Sequence, residues 1–323
     1  MRLMTKTGLF FIFALLSLHH TNPTDAIESG KEAPMGVVVI SHGAPMPVWN
    51  QKVSELVASV RSPYPLETAF LDYDEEQTLE KSVRRLEEKG VEEILLIHLS
   101  PSSYSVHHEE IKYRVGLRKD LGIYTNETDP PIKSKVKRFV ASPAMDDHPL
   151  MVEILRDYAK ELSRDPTQES LVLLGHGPIE DVEDIMWVRQ LKHIGNEIRK
   201  TLPFKEIVCM TIRNDAADLV REQAADDLRE EVTRLSAHGR VLVVTYALGS
   251  MTLQMEVKNI LRRIPQVVMS TKGVASHPKA MKWIEETISR GMNQPEVPPI
   301  KRTWSHLDYD TGKPVGTHHY GFY

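Results

Sequence analysis

Short apolar runs recur along the chain, and an amphipathic segment follows each of them. We interpret the runs as buried strands and the amphipathic segments, whose apolar residues repeat at helical spacing, as helices. The predicted strands are 36–40, 66–71, 93–99, 136–141, 171–174, 206–212, 240–246 and 266–270. The predicted helices are 45–60, 75–89, 106–121, 148–162, 183–200, 216–237, 252–263 and 277–290. Regular alternation of strands and helices is typical of βαβ units, so we expect parallel sheets covered by helices.

This order of elements occurs twice, and short phrases mark equivalent positions. The phrase Ile40-Ser-His-Gly-Ala-Pro45 in the first half corresponds to Leu174-Gly-His-Gly-Pro-Ile179 in the second. We therefore predict an α/β protein of two tandem similar domains, each a four-stranded, mostly parallel sheet flanked by helices. The expected domains are 35–163 and 170–291, and residues 292–323, rich in Pro, Gly and polar side chains, form an irregular tail.

The N-terminus has the layout of a secretory signal peptide. Arg2 and Lys6 precede an apolar run at 8–18, and the polar stretch that follows ends in Thr24 and Ala26, which suit a cleavage site. We expect residues 1–26 to be removed and the mature chain to be exported, either periplasmic or secreted; the alternative is an uncleaved N-terminal anchor. The rest of the chain has no apolar run long enough to span a membrane.

Composition narrows the class of protein further. The 323 residues are 41% hydrophobic and 26% charged, with a net charge of −5, so nothing indicates a nucleic-acid partner. The single cysteine, Cys209, excludes an intrachain disulfide, and its place in an apolar strand predicts a core residue.

Candidate chemistry collects at the carboxyl ends of the predicted strands in the first half. His42 follows the first strand, Asp72 follows the second, and the pair His107-His108 lies one loop after the third. Neighbouring parallel strands are about 4.8 Å apart, so these side chains can converge on one cleft. Two imidazoles and a carboxylate suit Co²⁺, Fe²⁺, Ni²⁺ or Zn²⁺, and a neutral imidazole can also accept a proton near neutral pH.

These phrases, taken in order, resemble the class II chelatases, and in particular the sirohydrochlorin cobaltochelatase and ferrochelatase family, CbiX/SirB. The resemblance covers about 35–290 and includes Ala69-Phe-Leu-Asp72, the stretch 94–111 and a His-Pro helix start at 148–149. It implies insertion of Co²⁺ or Fe²⁺ into a tetrapyrrole such as sirohydrochlorin, as in siroheme or cobalamin biosynthesis. The reaction takes place in a cleft between the two halves and needs no nucleotide or redox cofactor.

The resemblance also implies roles for individual residues. His42 and His107 match the two active-site histidines, and Asp72 stands where many members have a glutamate, one methylene longer. The three would bind the metal; His42 or His107 would accept the pyrrole protons, and Asp72 or Glu109 would draw these protons away. Because Glu109 follows the histidine one residue sooner than in the family, His108 is a rival to His107 as the ligand.

A tetrapyrrole with many carboxylates implies a basic rim. Part of it could come from four residues on the helix after His107, with an ordinary solvated helix face as the alternative: Lys112, Arg114, Arg118 and Lys119.

The second half keeps only part of the pattern. His176 repeats the first histidine, but the loop 246–254 has no histidine, so we expect this half to form a wall of the cleft. We expect His148 and His277, each before a proline, to cap helices, and His98, inside an apolar strand, to be a core residue. The tail histidines are interpreted as part of a flexible segment, with metal or tetrapyrrole binding as the alternative: His306, His318 and His319.

Two other function classes compete with a chelatase. An exported protein that binds metal or tetrapyrrole without catalysis would use the same fold, and the shorter carboxylate of Asp72 favours it. A hydrolase or phosphatase is disfavoured because the chain has no Arg-His-Gly phrase, no Gly-x-Ser-x-Gly elbow and no P-loop.

Overall fold

The computed structural model describes residues 34–121, 128–249, 251–298 and 300. The strands are β1 Met35–Ser41, β2 Leu66–Phe70, β3 Glu93–His98, β4 Arg138–Ala141, β5 Glu169–Gly175, β6 Glu206–Thr211, β7 Arg240–Tyr246 and β8 Val267–Met269. The helices are α1 Pro47–Ala58, α2 Leu79–Glu88, α3 Val106–Arg114, α4 Pro149–Leu162, α5 Asp181–Arg199, α6 Asp218–Ser236, α7 Met251–Leu261 and α8 Pro278–Ser289. The predicted signal peptide 1–26 and the three tail histidines lie outside the described residues.

The strands form two four-stranded sheets, in the orders β2-β1-β3-β4 and β6-β5-β7-β8, and every adjacent pair is parallel. This confirms the predicted fold class. In each sheet the chain leaves the first strand towards one neighbour and then returns to the strand on its other side. The carboxyl ends of β1 and β3, and those of β5 and β7, therefore flank a reversal of strand order, which is where open α/β sheets bind ligands.

Both faces of the first sheet are covered, which explains its unbroken apolar strands. In β1, Val37 and Val39 belong to one apolar cluster, whereas Val38 and Ile40 belong to another that includes residues of α2. Successive side chains on a strand point to opposite faces, so a sheet buried on both sides needs apolar residues at every position.

The last helix of each half contacts the opposite half. Helix α4 lies against β7 and α5, and α8 contacts β3 and α4. One apolar cluster accordingly contains Leu95 and Met151 from the first half together with Leu173, Trp283 and Ile284 from the second. The core is therefore shared between the halves, and the domain bounds 35–163 and 170–291 stay a prediction.

Local signals set the helix ends. The side chains of His148 and His277 accept hydrogen bonds from the backbone N–H groups of Leu150 and Lys279, each at 3.2 Å, which confirms them as caps. Helix α3 ends at Arg114 instead of extending to 121, because Gly116 has a φ of 78°, a left-handed conformation that stops a helix. No helix in the described part of the chain combines the length and the apolar character needed to cross a bilayer.

Candidate active site

A cavity of about 310 Å³ opens at the carboxyl ends of both sheets. The first half contributes Ser41, His42, Met46, Trp49, Tyr73, His98 and His107, among others, to its lining. The second half contributes, among others, His176, Trp187, Asn214, Asp215, Leu248 and Leu253. We call this cavity the cleft. The expectation that the second half forms one wall of it is confirmed.

His42 lies directly after β1 and is held between a carbonyl and a carboxylate. Its Nδ1 is 3.2 Å from the Gly43 carbonyl oxygen, and its Nε2 is 3.3 Å from Oδ2 of Asp72. A carbonyl oxygen only accepts hydrogen bonds, so Nδ1 carries the proton in this contact. Nε2 of His42 and the Asp72 carboxylate are close enough to share a cation, either a proton or a metal ion.

His107 lies in the first turn of α3, beside His42. The centroids of the two imidazole rings are 4.4 Å apart, with 47° between the ring planes. On its other side, Nδ1 of His107 is 3.3 Å from Oε2 of Glu110, which is buried. A carboxylate on one ring nitrogen of a histidine fixes the tautomer and the orientation of the ring. His42 thus lies beside both Asp72 and His107, although among the residues that the structure describes no group of three or more His, Cys, Asp or Glu side chains is placed to hold a metal ion.

The neighbouring residue, His108, lies in a different environment. It is buried, and its Nδ1 is 3.2 Å from Nδ1 of His98, with the two rings stacked at 5.3 Å between centroids. The geometry therefore favours His107 over His108 as the partner of His42. His98 is buried and hydrogen-bonded, as predicted for a core histidine, and it also forms part of the cleft wall.

The burial of His98 has a consequence for stability against acid. Burial, and then the positive charge that His107 can carry, lower the pKa of His98 to about 3, whereas an unfolded histidine titrates near 6.5. Between these values the unfolded chain binds a proton that the folded chain excludes. His98 therefore costs no stability above pH 6.5, and stability falls as the pH drops from 6.5 towards 3.

We expect the variant His98→Gln to have a shallower loss of stability over this pH range, by up to about 1.4 kcal/mol per pH unit. Urea unfolding at a series of pH values measures the slope. His238→Gln, at an exposed histidine after α6, is the control and should follow the wild type. Equal slopes for the wild type and His98→Gln would show that His98 is protonated equally in the folded and unfolded chains.

A buried polar network fixes the loop that leads from β3 to α3. Asp146 accepts hydrogen bonds from the backbone N–H and the hydroxyl of Ser103, both at 2.7 Å, and from the Gln190 amide at 2.8 Å. The Trp187 indole N–H donates to the Tyr104 carbonyl at 2.7 Å. Because Gln190 and Trp187 belong to α5, the second half holds the loop that positions His107.

The two acidic residues of α3, Glu109 and Glu110, contact different residues. Glu109 pairs with Lys112 at 2.9 Å and Arg118 at 2.7 Å. Glu110 is the carboxylate at His107, because residues three apart on a helix share a face and residues two apart do not. That spacing is visible in the sequence and could have identified Glu110.

The predicted basic rim does not line the cleft in the described part of the chain. Arg114 pairs with Asp129 at 2.9 Å, Lys112 and Arg118 pair with Glu109, and Lys119 is exposed outside the cavity. A different residue, Lys52 on α1, is the cation among the described lining residues. Lys52 follows the apolar first turn of α1, and no motif in the sequence identified it as a residue of the cleft.

Sequence reasoning also missed Asp215, which lies in the loop after β6. Its Oδ2 is 3.6 Å from Nδ1 of His176. The signal was present in the sequence, because Asp72 occupies the corresponding loop of the first half, after β2. Each wall of the cleft therefore has a histidine with an aspartate beside it.

Comparison with known proteins agrees with these observations. Residues 36–162 match the model of the CbiX family. No curated protein matches the chain at a significant level. The structure of SirB from Bacillus subtilis with Fe³⁺ has a TM-score of 0.57 and 16% identity to this chain, over 79% of this chain and 94% of SirB.

Two further structures share the fold. CbiX, described as the terminal enzyme of siroheme biosynthesis in denitrifying bacteria, has a TM-score of 0.50 and 14% identity, over 79% of this chain and 99% of that protein. A multidomain protein from Deinococcus radiodurans with structural similarity to chelatases gives 0.50 and 14%; the match covers 78% of this chain and 54% of that one. Residues 36–162 therefore match the CbiX family of class II chelatases, and the two halves together have the chelatase fold.

Proposed function

We propose that the protein inserts a divalent metal, Co²⁺ or Fe²⁺, into a tetrapyrrole such as sirohydrochlorin. The observation that carries the proposal is that His42, in a cleft between two chelatase-like halves, lies beside both Asp72 and His107. The match of residues 36–162 to CbiX supports the reaction class. SirB from Bacillus subtilis has been solved with Fe³⁺, which agrees with metal chemistry on this fold.

In this proposal His42, His107 and Asp72 hold the incoming metal as a substrate. Two imidazoles and one carboxylate leave coordination positions of the ion open. The four pyrrole nitrogens can occupy these positions while the protein ligands are released. Nε2 of His42 and the Asp72 carboxylate are 3.3 Å apart, which favours a cation between them. Ni²⁺ and Zn²⁺ suit the same ligand set.

Insertion also displaces two pyrrole protons, which need an acceptor. His42 or His107 can accept a proton near neutral pH. Glu110, at 3.3 Å from Nδ1 of His107, would stabilise the imidazolium that forms on that ring. We assign to Glu110 this supporting role, which the sequence alone had suggested for Glu109.

The rest of the cleft suits a flat, largely apolar macrocycle with acidic substituents. Trp49, Tyr73 and Trp187 contribute aromatic surface, and Lys52 can pair with a carboxylate of the substrate. We also propose that the protein is exported after cleavage at Ala26, on the strength of the charged, apolar and polar order of residues 1–26.

The experiment uses the full chain expressed with its N-terminus and recovered from the exported fraction. We expect its mass to correspond to a start at Ile27, and the protein to accelerate Co²⁺ insertion into sirohydrochlorin, followed by the change in visible absorption. The reaction without protein gives the background rate. Tight binding of Co²⁺ or macrocycle with no rate above that background would establish the non-catalytic binding protein instead.

A further inference from the structure

The second His-Gly phrase positions an imidazole as the first one does, on the opposite wall of the cleft. Nδ1 of His176 is 3.2 Å from the Gly177 carbonyl oxygen, the same distance as between His42 and Gly43. Gly177 has a φ of 83°, and Gly43 has a φ of 95°. The left-handed glycine turns the carbonyl back towards the ring in both halves, so the strand end sets the orientation of each imidazole.

The surroundings of the two rings differ in one respect. Asp72 lies at Nε2 of His42, whereas Asp215 lies at Nδ1 of His176, at 3.6 Å. The contact with the Gly177 carbonyl and the contact with Asp215 are therefore both on Nδ1, and in the described part of the chain Nε2 of His176 has no hydrogen-bond partner. A histidine whose N–H faces a carbonyl and a carboxylate has a fixed tautomer and a more basic second nitrogen, which is the usual arrangement of a metal-ligating histidine.

Two carboxyl groups, those of Asp215 and Glu256, interact electrostatically with this ring. Burial raises the pKa of Glu256, and the nearby Asp215 raises it further, while Arg221 and His176 oppose the shift. The Asn214 amide, with its nitrogen towards Glu256, donates to Oε1 at 3.0 Å and keeps this carboxylate in place. The pKa of Tyr73 is raised by burial and then by Asp72 and Asp215, so one side chain of the cleft interacts with the carboxylates of both walls.

We propose that His176 is an axial ligand to the metal of the metallated tetrapyrrole, through Nε2, from the face opposite His42 and His107. A macrocycle between the two walls has one face towards each. The imidazole donates its Nε2 lone pair to the fifth or sixth position of the metal, displacing at most a water molecule. Asp215 is then a positioning residue that orients the ring. The inference rests on the proposed function, because the ligand is the product of that reaction.

A preformed product tests the inference without requiring turnover. The probe is cobalt(II) sirohydrochlorin, bound to the full chain carrying His42→Ala and His107→Ala, so that the imidazoles of the first wall are absent. Electron paramagnetic resonance of the frozen complex reports an axial nitrogen as a splitting of the cobalt signal. We expect this splitting in the double variant, and we expect the further substitution His176→Ala to remove it. The substitution His238→Ala, at an exposed histidine outside the cleft, should leave it unchanged.

The conservative substitution Asp215→Asn separates positioning from folding. It retains the size of the side chain but removes the charge at Nδ1, and we expect it to weaken product binding by about tenfold while the nitrogen splitting persists. Splitting that survives His176→Ala would overturn the inference alone, as would a bound product with no splitting in the double variant. Failure of the product to bind even the unsubstituted chain would overturn both the inference and the proposed function.

Discussion

Replacing both His42 and His107 with alanine should lower the rate of metal insertion by about 100- to 10,000-fold, the range found when a positioned proton acceptor is removed. The centroids of the two imidazole rings are 4.4 Å apart. In the proposed function these rings bind the metal and accept the pyrrole protons. The double variant removes both functions and leaves Asp72 and the walls of the cleft. Initial rates with Co²⁺ and sirohydrochlorin, compared with the wild type, measure the loss.

The matched control is His238→Ala, which removes an exposed histidine outside the cleft. It should retain the wild-type rate. Equal rates for the wild type and the double variant would contradict the proposed function. A loss in the variant His108→Ala with none in His107→Ala would instead assign the ligand to the rival histidine.

The variant Gly43→Ala should lose about 3 kcal/mol of stability and most of the insertion activity. Gly43 has a φ of 95°, where a side chain is strained, and an added Cβ would lie 2.1 Å from the carbonyl oxygen of Asp72. That contact forces Asp72 away from the strand end and breaks the hydrogen bond of 2.8 Å from its N–H to the His42 carbonyl. Urea unfolding and the insertion assay measure the two losses.

Gly90 provides the control for backbone strain alone. It has a φ of 78°, but an added Cβ meets nothing within 4 Å. Gly90→Ala should therefore cost about 1 to 2 kcal/mol, from the left-handed conformation only, and should retain activity. If the two variants lose equal stability and both remain active, the close approach of Gly43 to Asp72 has no role in the site.

Much of the fold could be predicted from sequence because its signals are local. Buried parallel strands need unbroken apolar runs such as Val37–Ile40, and amphipathic periodicity together with His-Pro caps places the helices. The strand–His–Gly phrase also located His42, since a residue after a parallel strand lies at the edge where ligands bind. The repetition of this phrase revealed the duplication.

Tertiary structure decided which of two adjacent residues lies at the site. His107 and His108 are adjacent in sequence, but the first lies beside His42 and the second is buried against His98, because the phase of α3 is set by packing. The same helix phase places Glu110 beside His107, and it places Glu109 beside Lys112 and Arg118. Successive side chains on a helix point in directions about 100° apart. The loop between β3 and α3 does not determine which of them faces the site.

The sequence by itself determined the alternation of strands and helices, the duplication and the presence of histidine and carboxylate at strand ends. Only the tertiary structure decided that α4 and α8 each contact the opposite half, that Trp187 and Gln190 hold the loop before His107, and that Asp215 lies beside His176. These contacts join residues distant in the chain. They follow from how two sheets share one core, which local periodicity does not encode.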